Sequence, residues 1–203
     1  QDKTDEALAA IAATPVEGDE QKVQLTLLHA EVLTQAGRRD EAMALFDGAL
    51  NGRYDMTLLY NRAMLAEQMG RLDILEADLR TIIEREPENS QALNALGYTL
   101  ADRTNRHAEA LEFIKRALAA SPNDFFILDS MGWVLYRLGR LEEAVGYLEK
   151  ARQLRNDPEV AAHLGEVLWV LGRKDDARQI WNTALEKHPQ DGKILEAIKR
   201  LAP

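Results

Sequence analysis

Apolar side chains recur along this chain at the three- and four-residue spacing of helices with one buried face, and short polar turns interrupt them. Leu128, Met131, Gly132 and Leu135 share one such face, and Leu164, Gly165 and Leu168 share another. Small residues return at Ala30, Ala63, Gly97, Gly132 and Gly165, at intervals of 33, 34, 35 and 33 residues. A second series, Ala42, Leu75, Ala110, Ala144 and Ala177, follows in step. A third puts bulky groups four residues later, at Phe46, Leu79, Ile114, Leu148 and Trp181. A small residue on one helix lets a second helix approach closely, so each unit predicts a tightly packed helix-turn-helix.

The turns follow the same rule. Gly37, Gly70, Gly139 and Gly172 each end a helical run, where a left-handed residue is wanted. Acidic pairs such as Asp40-Glu41, Glu142-Glu143 and Asp175-Asp176 then face the positive end of the next helix. Pro87, Pro122, Pro158 and Pro189 mark the unit boundaries. The third unit lacks the glycine, and its longer turn over 102–107 makes Asn105 the expected left-handed residue.

Three series in one register resemble the tetratricopeptide repeat over nearly the whole chain. The resemblance implies an all-α solenoid of about five helix-turn-helix repeats, with about twelve helices in all. Residues 1–22 read as a partial repeat, because Asp5-Glu6-Ala7 and Ile11 look like a second helix without its first. Repeats are expected over 23–55, 56–89, 90–124, 125–157 and 158–190. A capping helix follows over 191–203, with Ile194, Leu195, Ile198 and Leu201 inward and Lys193, Glu196, Lys199 and Arg200 outward. The half-repeat suggests the carboxyl-terminal part of a longer array.

By the same resemblance the first helices line a concave groove through their second, fifth, ninth and twelfth positions. The candidate peptide-binding residues are Tyr60, Met64, Asn94, Tyr98, Phe126, Asp129, Trp133, Tyr136 and Trp169. For any single aromatic, packing between repeats competes evenly with exposure in the groove. Six aromatics at groove positions favour an exposed patch, with Asn94 and Asp129 orienting a bound backbone. Members of the family that bind chaperone tails grip a terminal carboxylate with lysine, asparagine and arginine. Leu27, Glu31, Tyr60, Met64, Asn94, Tyr98, Asp129 and Trp133 stand at those positions here, so such a clamp is not expected.

Composition narrows the classes. The formal charge is −9, from 25 basic and 34 acidic groups, and no cationic cluster suited to phosphate contacts stands out. No apolar run is long enough to span a membrane as a helix. Cysteine is absent, which excludes disulfides and thiolate metal sites. His29, His107, His163 and His188 are scattered without metal spacing or a triad, and no phosphate loop occurs. No catalytic residue, metal or cofactor is expected, and a protein or peptide partner is.

The segments Leu128–Tyr136 and Ala162–Trp169 are similar to tetratricopeptide lipoproteins of Gram-negative bacteria. That resemblance implies a periplasmic adaptor tethered to the outer membrane, recruiting a carboxyl-terminal processing protease and its substrates. Membrane attachment would come only from an anchor preceding Gln1, and a cytoplasmic location stays open. The rival expectation is a substrate-recruiting or regulatory arm of an enzyme with an upstream catalytic domain.

Overall fold

A computed structural model describes residues 2–202, and every element among them is an α-helix. The chain forms two compact units, one up to Pro87 and one from Glu88. The first holds α1 (Asp2–Ala13), α2 (Asp19–Gln35), α3 (Arg39–Leu50), α4 (Met56–Gln68) and α5 (Leu72–Arg85). The second holds α6 (Ser90–Arg103), α7 (His107–Ala120), α8 (Phe125–Arg137), α9 (Leu141–Leu154), α10 (Pro158–Val170), α11 (Lys174–Lys187) and α12 (Gly192–Leu201). The all-α helix-turn-helix architecture expected from the spacing is therefore what the chain adopts.

Helix starts alternate between two chemistries. Asp55, Asn89, Asp124, Asp157 and Asp191 precede α4, α6, α8, α10 and α12, and each side chain accepts a backbone N–H of the first turn. The second helix of each pair starts after an arginine whose side chain caps nothing. Four of these arginines pair instead with an acid three residues on: Arg38 with Glu41, Arg106 with Glu109, Arg140 with Glu143 and Arg173 with Asp176. Between the helices, Gly37, Gly70, Gly139 and Gly172 have φ of 77°, 70°, 77° and 84°. The amide after each glycine donates back five residues, to Leu33, Ala66, Leu135 and Leu168, closing the helix end.

The third unit's turn departs from expectation. Asn105 is not left-handed; no non-glycine residue is, among the described residues. Thr104 ends α6 in an extended conformation instead, and its Oγ1 donates to the Leu100 carbonyl (2.6 Å) and accepts from Arg106 N (3.0 Å). A threonine hydroxyl thus satisfies groups that the glycine turns leave to the backbone.

The three series form the core. Ala42, Ala63, Ala110, Ala144 and Ala177 are fully buried, as are Leu79, Ile114 and Leu148. A Cβ placed on Gly97 would lie 2.6 Å from Ile114 Cγ1; on Gly132 it would strike Leu148, and on Gly165 the Trp181 indole. The small first helix and bulky second helix are therefore matched as single contacts. At the carboxyl end, Ile194 and Ala197 are the buried residues of α12, while Leu195 is 42% exposed. Ile194, Ile198 and Leu201 of the expected inward face are buried or half-buried, and only Leu195 is turned out, with Ala197 inward in its stead where α12 packs chiefly on α10.

Candidate functional site

The expected groove positions fall on first helices in both units. In the first unit, Gln24, Leu27 and Glu31 of α2 line an open cavity of about 570 Å³, together with Leu25, Leu28 and the loop residues Pro15 and Val16. Tyr60 and Met64 of α4 are half-buried, and burial raises the Tyr60 hydroxyl's pKa.

The second unit's inner positions are instead joined from one first helix to the next. Trp133 is 7% exposed, a correction to its expected place on an open groove surface. Its ring stacks on His163 of α10 at 4.2 Å and 22°, and its Nε1 donates to Asp102 of α6 at 3.2 Å. Asp129 is also buried, correcting its expected freedom to orient a bound backbone: His163 Nδ1 donates to both its oxygens, at 3.0 and 2.9 Å. Burial alone would lower the pKa of His163. The charge and hydrogen bond of Asp129, helped by Glu159, outweigh this and the repulsion of Lys193, so it lies above the ordinary histidine value.

Two carboxylates on α10 complete the network. Glu159 accepts from Tyr98 of α6 at 3.2 Å and pairs with Lys193 of α12. Burial pushes Glu159 up, but Lys193, His163 and Tyr98 more than offset it, and its carboxyl sits below the usual range. Glu166, 3% exposed, accepts from Tyr136 of α8 at 3.0 Å and from Arg200 of α12 at 2.5 Å. Tyr136 is pushed up to about 12, first by burial and then by Glu166; Tyr98 is raised by the same two kinds of cause. Both tyrosines are half-buried with engaged hydroxyls.

The remaining candidates are spread out. Trp169 is half-buried, stacked on Trp181 at 5.9 Å and flanked by Lys174 and Arg178, each 5.1 Å from its ring. Phe126 is 56% exposed. Asn94 is half-buried, and its Oδ1 is enclosed without a hydrogen-bond partner. Sequence reasoning missed His163, Asp102, Lys193 and Arg200 as partners of this face. The signal was present in the repeat interval: Asp129–His163, Glu159–Lys193 and Glu166–Arg200 are each complementary pairs 34 residues apart. No group of acids and histidines suited to a metal occurs among the described residues.

Family models described as tetratricopeptide repeat match residues 23–47, 60–125 and 135–201. A TPR repeat-containing protein of Pseudomonas aeruginosa is 48% identical over 165 residues, covering 81% of this chain. The chain spans 28% of that relative's length. Among solved structures, the thermophilic TPR protein TTC0263 of Thermus thermophilus aligns with a TM-score of 0.73 at 27% identity, covering 89% of this chain and 97% of that one. YrrB, a TPR protein described as having an unusual peptide-binding site, shares the fold with a TM-score of 0.60 at 19% identity, covering 86% and 91%. With the repeat series, the glycine turns and the paired helices, these matches show that the chain belongs to the tetratricopeptide repeat family.

Proposed function

We propose that this chain is a non-enzymatic adaptor that holds an extended or helical segment of a partner protein on the inner faces of its first helices. The observation that carries the reading is Asn94, whose enclosed Oδ1 has no partner, on the helix neighbouring the exposed Phe126. A buried acceptor left unpaired costs about 1–3 kcal/mol. Rotation of the half-buried Asn94 amide toward the surface would remove that cost by letting Oδ1 accept a backbone N–H of a bound segment, while an apolar side chain covered Phe126. The open cavity at Leu27 and Glu31 supports the same use of inner positions in the first unit. Tetratricopeptide repeat proteins generally mediate protein–protein interaction, and YrrB's description is consistent with peptide binding by this fold.

The test is affinity capture from the native organism with the parent chain, Asn94→Ala, Phe126→Ala and the outer-face control Glu142→Lys. Loss of the same captured protein from both inner variants, with helical content kept and melting no lower than the parent's, is expected. Retention by both inner variants would sink the reading.

The finer proposal is an envelope lipoprotein that brings a periplasmic processing protease to its substrates. Its support is the wording of Leu128–Tyr136 and Ala162–Trp169, together with a bacterial relative at 48% identity. Fractionation of the whole protein, with the protease probed in the captured material, tests it; recovery in the cytosolic fraction would refute it. The rival, a recruiting arm of an enzyme, predicts a catalytic domain in the same polypeptide.

A further inference from the structure

We propose that the edge of the second unit where α8 begins and α9 ends docks an acidic amphipathic segment, with apolar anchors on Phe126 and Leu154 and carboxylates at Arg155 and Lys150. This rests on the inner-face reading and names the chemistry of the partner. Phe126 and Leu154, at 56% and 54%, are the large apolar side chains more than half exposed among the described residues. The Phe126 ring rests against that of Phe125, with centroids 3.9 Å apart. Phe125 packs with Leu118 and Tyr147 on buried Leu128, Ala151 and Val160. Leu154 follows Ala151 by three residues and so shares its face of α9. An exposed apolar surface on a packed backing is what an interaction site requires.

The charge at this edge is cationic. The Arg155 guanidinium lies 4.8 Å from the Phe125 ring, and Lys150 Nζ lies 5.3 Å from the Tyr147 ring. The nearby acids are turned inward: Asp124 caps α8 by accepting from Phe126 N and Ile127 N, and Asp157 caps α10 by accepting from Glu159 N. Arg155 meets Asp157 only at 3.9 Å, with its own side chain 62% exposed. Glu149 and Arg152 face elsewhere, lining a separate cleft with Ile180 and Thr183. Aromatic rings with cations above them therefore present donors to solvent, with only the long Asp157 contact competing at Arg155, which suits a partner's Asp and Glu side chains.

Panning a library of random peptides displayed on phage against the full chain tests this. Enrichment of sequences combining aromatic or aliphatic anchors with excess Asp and Glu is expected. Synthetic copies should lose about tenfold or more in affinity on Phe126→Ala or Leu154→Ser, and weaken with added salt. Arg155→Glu with Lys150→Glu should reverse the charge preference. Basic peptides, or peptides indifferent to Leu154 and Arg155 yet weakened by Asn94→Ala, would overturn this proposal and leave the inner-face reading standing. Enrichment of nothing would overturn this proposal, while the inner-face reading falls only if the captured protein is retained by both Asn94→Ala and Phe126→Ala.

Discussion

The stretch up to Pro87 and the stretch from Glu88 share one repeat grammar and are fastened differently. The first carries 17 acidic and 9 basic side chains, the second 17 and 16. In the first, the half-buried Arg62 of α4 ties to second helices, reaching Asp78 of α5 at 2.8 and 2.6 Å and Asp47 of α3 at 2.6 Å. In the second, ties run between successive first helices: Trp133 to Asp102, Asp129 to His163, Tyr136 and Arg200 to Glu166. The first unit leaves Leu27 and Leu28 lining an open cavity; the second fills its inner rows with paired charges and rings. Small-on-large packing holds helix pairs together in both, so the added network sets the shape of one inner face more than it creates the fold. Paired buried charges of this kind contribute little net stability, but removing one partner is costly.

The largest expected effect lies in the packing the two units share. Gly132→Leu should cost about 3 kcal/mol, because even a Cβ there meets Leu148. The first unit's counterpart, Ala63, already carries a methyl group, and Ala63→Gly should cost about 1 kcal/mol. Denaturant midpoints check both, and a Gly132→Leu midpoint equal to the parent's would mean that these helices are not closely packed.

Next comes the network itself. Asp129→Ala strips His163 of its carboxylate and should cost about 2 kcal/mol. The effect should appear in hydrogen exchange of α8 and α10, while α4 and α5 serve as the unchanged reference. Comparable loosening of both units would erase the distinction between them.

A smaller effect separates the units by pH. His163 is raised in the folded state, so its contribution is fully present below the unfolded value of about 6.5 and is lost as pH rises through the higher folded value. Exchange protection of α8 and α10 should therefore fall across that window, and His163→Gln should flatten the profile. A rise in protection across the same window would show that the buried imidazole is neutral when paired.

The repeat was legible because one interval, near 34 residues, governs small, bulky and turn residues at once. Asp129, Trp133 and Tyr136 were assigned to a groove by resemblance to the family. Their state was not legible, because exposure depends on what the next first helix brings. His163 looked isolated in the sequence, and Lys193 and Arg200 looked like solvent-facing residues of a cap, until α12 was seen packed on α10. Asn105 failed differently: a neighbouring hydroxyl on Thr104 supplied the turn's bonds, and no left-handed residue was needed.

The smallest expected effect is the strictest control on the comparison. Arg38–Glu41 in the first unit and Arg140–Glu143 in the second are nearly the same pair, at 2.6 and 2.7 Å, three residues apart after a glycine turn. Each arginine's hydrogen bond holds its glutamate below the usual carboxylate range. Both pairs are open to water, where screening and side-chain entropy cancel most of the attraction. Arg38→Gln and Arg140→Gln should therefore leave the unfolding midpoints of their units unchanged, at low and high salt alike. The repeats would then be fastened by their small residues and, in the second unit, by the inner network, with the recurring outer pairs adding nothing measurable. A fall for Arg140→Gln as large as that for Asp129→Ala would place the fastening on the outer side, and the contrast between the two inner faces would lose its energetic meaning.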